Sequence, residues 1–235
     1  MCGRYTLTVT IEELMARYLI DGPVPFFHHP RYNIAPGQMV PAIISDGKRY
    51  RLGELKWGLI PNWAKDAKIA YKTINAKAET VMEKPSFRAS FQRKRCLIPA
   101  DSFYEWKTTA EGKQPMRIMM SDHRIFSMAG LYDTWISPDG TKINTCTIIT
   151  TTPNRLMEKI HHRMPVILRK EDEAVWLDRT KSAGELKTLL TPFPDGDLFA
   201  YPVSNIVNQA KLDTKECIQP ATTDTQAGPM REGLL

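Results

Sequence analysis

The chain has 235 residues, of which 42% are hydrophobic and 25% charged, and carries a net charge of +6. That length suits one large domain or two small ones, with enough apolar residues for a self-sufficient core. No apolar run of about eighteen residues occurs, which speaks against a membrane span, and Arg4, Glu12, Glu13 and Arg17 break up the opening stretch, which speaks against a secretory signal.

Thr10 and Glu13 have the spacing of a capping box and open a short predicted helix through Tyr18. The segment 21–38 is rich in Pro and Gly and reads as a loop. Strand-like runs follow at Met39–Ser45, Tyr50–Gly58, Arg95–Ile98, Pro115–Met120, Ile125–Leu131 and Ile143–Thr150. Thr152, with Pro153 at the first helical position, predicts a helix through Ile160. Ser182 and Glu185 form a second capping-box pattern ahead of an amphipathic helix to Leu190. Many strands, irregular loops and a few peripheral helices predict a single α+β domain over 1–220, with a mobile Thr-, Gly- and Asp-rich tail over 221–235.

Cys2, Cys96, Cys146 and Cys217 are far apart and include no CxxC pair, so neither a zinc site nor a disulfide framework is expected, and a reduced cytoplasm is the expected compartment. The sequence pI of about 9.1 is compatible with a polyanionic partner and equally with plain solubility. Lys65, Lys68, Lys72 and Lys77 lie near Trp57 and Trp63 in the sequence, and Arg88, Arg93, Lys94 and Arg95 follow. Cations for phosphates beside flat rings for bases are what single-stranded nucleic acid requires.

Four positions carry chemistry. Removal of Met1 would leave Cys2 with an α-amine and a thiol on one residue. An α-amine with a pKa near 7.7 is roughly one-sixth neutral at pH 7. It can attack an aldehyde, and the neighbouring sulfur can close a five-membered thiazolidine. The structural alternative is a small buried hydrophobe at the start of a strand. Asn75, in INAKAET, is suited to holding an oxyanion or a sugar hydroxyl, or to a local turn bond. Glu105 stands among Phe103, Tyr104 and Trp106. Packed against those rings its carboxyl would be desolvated into an acid–base range, whereas on an edge strand it would sit in solvent. His161 and His162 precede Arg163-Met164-Pro165. A histidine there is placed to shuttle protons, or simply caps a helix C-terminus.

The segments MCGRY, RYNIAPGQ, KWGLIPNWA, INAKAET, CLIPADSFYEW and HHRMPVIL occur in this order, and PVSNIVN follows. Together they resemble the landmark motifs of the SOS-response-associated peptidase family, also described as abasic-site processing or DNA–protein crosslinking proteins. The resemblance runs from Cys2 to about Ile218. It implies one α+β domain with a curved, barrel-like β core, peripheral helices and a basic groove for single-stranded DNA. It implies catalytic roles for Cys2 as nucleophile, Asn75 on the opened sugar, Glu105 on the α-amine and His161 as proton carrier. It implies DNA contacts at Arg4, Gln38, Trp63, Lys77, Trp106, Thr150 and Arg163.

The expected partner is single-stranded DNA with abasic sites, handled by a monomer in the cytoplasm or on the nucleoid. No cofactor, metal or membrane is expected. A peptidase activity would amount to release of Met1 or of the crosslink. This chain departs from the family in having Lys77 where Arg is usual, which loses a bidentate fork. It also has Ser102 where Gly is common, which is expected to alter slightly the approach to Glu105, and His162 leaves open which ring acts. Two other classes remain compatible: an N-terminal-nucleophile amidohydrolase, which would release ammonia from glutamine, and a non-catalytic single-stranded DNA binding module indifferent to Cys2→Ser.

Overall fold

The Thr10 side chain accepts from the Glu13 amide at 3.3 Å, and Glu13 accepts from the Thr10 amide at 2.7 Å. This reciprocal cap satisfies two of the amides that a helix start leaves open, and the first helix begins directly after it. A computed structural model of the chain describes residues 2–221. The expected tail lies outside the described residues except for Ala221.

In chain order the first elements are β1 (Tyr5–Leu7), α1 (Ile11–Tyr18), β2 (Arg31–Ile34), β3 (Met39–Ser45), β4 (Tyr50–Trp57) and β5 (Asn75–Lys77). Then come α2 (Pro85–Arg93), β6 (Arg95–Ala100), β7 (Ser102–Thr109), β8 (Gly112–Met120), β9 (Phe126–Ile136) and β10 (Lys142–Thr151). The last are α3 (Arg155–Glu158), β11 (Met164–Pro165), β12 (Ile167–Leu168), α4 (Lys170–Leu177), α5 (Ala183–Thr188) and β13 (Leu198–Pro202).

Strands β4, β3, β6, β9 and β10 hydrogen-bond in succession, and β10 returns to β4 in a parallel pairing, so the sheet closes on itself. Closure removes exposed strand edges. A second, five-stranded sheet runs β13-β8-β7-β1-β2. The expected α+β domain with a barrel-like core and few peripheral helices is therefore what the chain builds. Cys96, Ile98, Cys146 and Ile148 share one face of the paired barrel strands with Gly130, and all are buried. Gly130 is required by this packing, since a Cβ there would come within 2.8 Å of Cys96 Sγ. Buried Arg95 ties the helices to the barrel: its guanidinium donates to the carbonyls of Phe91 and Gln92 at the end of α2 and of Trp176 and Asp178 at the end of α4.

The structure corrects four expectations. The segment read as a loop contains β2, held by β1 and by Asp213, whose carboxylate accepts from the Tyr32 and Asn33 amides. The helix expected from Pro153 starts only at Arg155, because Asn154 is the cap and accepts from the Met157 amide at 3.0 Å. Trp57 is not an exposed stacking ring: it is 1% exposed, with Nε1 donating to the Ile74 carbonyl at 2.8 Å. Ser102 does not alter the approach to Glu105, because side chains alternate along β7 and the two residues face opposite sides. The Ser102 hydroxyl is instead engaged by Arg117 Nε at 2.7 Å and by Thr6.

Candidate active site

Cys2 is fully buried just ahead of β1, which runs antiparallel to β7 with Tyr5 opposite Phe103. The Tyr104 amide donates to the Arg4 carbonyl at 2.9 Å, so the pairing carries on past β1 toward the chain start. This brings the Cys2 thiol under the influence of Glu105. Burial pushes the thiol well above its ordinary range, and the Glu105 charge pushes it the same way. Glu105 is 2% exposed, because β7 lies inside the sheet between β8 and β1 rather than at its edge. Burial raises its carboxyl to about 7, so it can take or give a proton near neutral pH.

His161 follows α3 and precedes β11. Its Nδ1 lies 3.7 Å from Glu105 Oε1 and accepts from the Arg163 amide at 3.1 Å. Burial lowers its pKa, which favours a neutral ring able to accept a proton. The His162 ring stacks against it with centroids 4.3 Å apart but is exposed. The ring that faces Glu105 is therefore that of His161.

Asn75 opens β5, which pairs in parallel with β10 so that Asn75 stands opposite Ile148. It sits in a strand, not a turn. Its Nδ2 makes a long 3.5 Å bond to the Ile148 carbonyl, and its Oδ1 is buried with no hydrogen-bond partner among the described residues. A buried acceptor left open is suited to a ligand donor. Thr150 of β10 stands opposite Lys77 on β5 and opposite Pro165 on β11, so the Asn75 and His161 segments flank one end of the same strand.

The DNA-contact candidates fall into two groups. Trp63, 56% exposed, and Lys77 present their side chains to solvent. The others are tied in. Trp106 donates from Nε1 to Asn208 Oδ1 at 2.7 Å, and the Arg4 guanidinium lies 6.0 Å from its ring centroid. Arg4 itself donates to Asn33 Oδ1 at 2.7 Å and to the Val207 carbonyl at 2.6 Å. Gln38 Oε1 accepts from Arg31 and from the Ala35 amide. Thr150 is 1% exposed, and Arg163 is paired with Glu79.

Two features escaped the sequence reading. Tyr71 is 84% exposed and lines a cavity of about 550 Å³ with Gln38, Lys56, Trp57, Lys68 and Ile74. The aromatic among lysines in AKIAYK was a usable signal. Glu79 was visible in INAKAET, but nothing in the sequence assigned it a partner. Among the described residues no three His, Cys, Asp or Glu side chains cluster as a metal site would need, and no helix is long and apolar enough to cross a membrane.

The structure thus gathers a buried cysteine near the chain start, a buried carboxyl near neutrality and a histidine whose pKa burial lowers, beside a closed barrel. The chain belongs to the family described as SOS response associated peptidase (SRAP), whose profile matches residues 1–210. It is 51% identical over 222 residues to "Abasic site processing protein YoqW" of Bacillus subtilis (strain 168), covering 93% of this chain and 99% of that protein. It is 34% identical over 237 residues to "Abasic site processing protein HMCES" of Xenopus tropicalis, covering 86% of this chain and 69% of that one. A crystal structure of a protein from Bacteroides thetaiotaomicron shares the fold with a TM-score of 0.85 at 31% identity, over 94% of this chain and all of that one.

Proposed function

We propose that this protein captures abasic sites in single-stranded DNA as a covalent thiazolidine on Cys2, once Met1 has been removed, and so shields the strand from scission. The observation that carries the reading is the buried Glu105 carboxyl, near neutrality beside Cys2 and 3.7 Å from His161 Nδ1. The names of the relatives support abasic sites as the target.

The chemistry orders itself. An abasic deoxyribose must open to its aldehyde before it can react, and the neutral His161 ring is suited to moving the proton that opening requires. The Cys2 amine then attacks the aldehyde carbon. Glu105 as carboxylate removes the ammonium proton beforehand and, as acid, returns one when the hydroxyl leaves as water. The imine so formed is open to the sulfur. A carbon–sulfur bond forms, the thiol proton passes to nitrogen, and the ring closes with net loss of one water. Because the Cys2 thiol is held protonated by burial, the amine reacts first and the sulfur traps. Asn75 Oδ1 accepts from a hydroxyl of the opened sugar, and peptidase action is confined to Met1 release or to undoing the crosslink.

The strand lies across the solvent-facing Trp63 and Lys77, with one protein molecule per lesion. Binding therefore weakens with salt as phosphate contacts release counterions.

The test is to mix the protein with an oligonucleotide carrying one abasic site, run a denaturing gel and take an intact mass. A heat-stable adduct lacking Met1, absent with Cys2→Ser and with undamaged DNA, is the expected result. Absence of any adduct, with Met1 still present, would leave only reversible DNA binding.

A further inference from the structure

The motif that carries Asn75 also carries Glu79, which the proposed chemistry leaves unused. Glu79 lies just beyond β5 with its side chain 47% exposed, and it meets an Arg163 side chain only 10% exposed. The contact is a fork: Arg163 Nη1 donates to Oε1 at 2.5 Å and Nη2 to Oε2 at 3.0 Å. Nη2 also donates to the Thr150 carbonyl at 2.6 Å. A planar guanidinium gripped on two sides holds its own backbone in place. That backbone in turn holds the His161 ring, its amide donating to Nδ1 at 3.1 Å and its carbonyl oxygen lying 3.2 Å from the same nitrogen. A line of contacts thus runs from Glu79 through Arg163 and His161 to Glu105.

We infer that Glu79 is a positioning residue of this site: its fork on Arg163 fixes the His161 ring against Glu105. The inference deepens the proposed crosslinking reaction and rests on it for its kinetic consequence. The pair is neutral as a whole, so it adds little long-range attraction for phosphate. Removing the Glu79 charge leaves a buried Arg163 without its partner, a costly state that the segment relieves by moving. The ring then leaves its place. The charges around it are those of the amino terminus, of His162 alongside it and of Lys113 on β8, opposed by Glu105 on β7 and Glu158 on α3, and an unpaired Arg163 two residues along the chain adds to the positive set.

Glu79→Gln and Glu79→Asp, beside the parent protein, provide the test. Affinity is measured at fixed salt on an oligonucleotide whose abasic site has been reduced to the alcohol and so forms no imine. The crosslinking rate is measured in single turnover on the reactive site. The His161 ring is titrated by NMR without DNA, its signal assigned by its loss in His161→Gln. For Glu79→Gln the expected result is unchanged or tighter binding, a crosslinking rate lower by about tenfold or more, and a His161 midpoint moved to lower pH. Glu79→Asp, which keeps the charge, should recover most of the rate and a parent-like midpoint. A parent-like rate and midpoint in Glu79→Gln would overturn the inference, as would a loss of affinity in step with the rate. A parent protein that forms no adduct would sink the crosslinking reading instead, and the NMR midpoint would still decide the role of Glu79.

Discussion

His161 Nδ1 and Glu105 Oε1 lie 3.7 Å apart, although one residue comes from a loop after α3 and the other from the middle of β7. Both are perturbed by burial, in opposite directions: the carboxyl rises and the imidazole falls. Each shift favours the neutral form, so near pH 7 either group can exchange a proton with a reacting sugar or amine at little cost.

The Glu105 shift has a pH signature. Its carboxyl rises from 4.5 to about 7 on folding, so between those values the folded chain keeps a proton that the unfolded chain has lost. The stabilising contribution is complete below the unfolded value and fades as pH rises through about 7, a span worth about 3 kcal/mol. Glu105→Gln should abolish that slope, and urea unfolding of both proteins across this range will show the difference. Crosslinking by the parent should rise with pH through about 7 as the carboxylate forms. In Glu105→Gln only the rise due to the α-amine near 7.7 should remain, with the rate slower by about a hundredfold or more.

Asn75 predicts a split between stability and activity. Its Nδ2 makes a long 3.5 Å contact to the Ile148 carbonyl, and its Oδ1 has no partner among the described residues. Asn75→Ala should change the melting temperature little while slowing crosslinking about tenfold to a hundredfold, the worth of one buried hydrogen bond to substrate. Calorimetry and a single-turnover assay on the same preparation separate the two.

The solvent-facing residues proposed to contact DNA should divide by type of contact. Lys77→Ala should reduce the salt slope of single-strand binding by about 0.7, and Lys77→Arg should restore it. Trp63→Ala should leave the slope alone and cost about 1–3 kcal/mol at every salt concentration, the worth of one stacked base. Fluorescence titrations at several salt concentrations distinguish these outcomes.

Ser102→Gly tests the departure from the family pattern. The hydroxyl is fully buried and accepts from Arg117 Nε at 2.7 Å. Its loss leaves that donor unpaired and adds backbone freedom to a strand, for a cost of about 2 kcal/mol in unfolding experiments. Crosslinking should be unaffected, because Glu105 lies on the other face of β7.

What the sequence revealed follows from where the physical signals are strong. The helices found correctly, α1 and α5, are those whose starts carry reciprocal side-chain caps. The helices missed, α2 and α4, begin after Lys84 and Arg169 with no side-chain cap. β7 was missed because Ser102 to Glu105 are buried on both faces, which erases the alternation that marks a half-buried strand. β5 is three residues long and owes its existence to β10. The candidate site residues stood out in the sequence by type and motif order. Their distances were not, and neither was the Glu79–Arg163 fork, because only the fold brings these segments together.

Cys2, Cys96 and Cys146 are all completely buried, with thiols raised by desolvation. A thiol kept protonated is a poor target for peroxide and for alkylating agents, which react with thiolates. Under the proposed reaction this amounts to a chemical filter at Cys2. Electrophiles that need only sulfur would meet a dormant group, while a carbonyl that first condensed with the amine would carry its own carbon to the sulfur. Selectivity for an aldehyde would then lie in the order in which two bonds form.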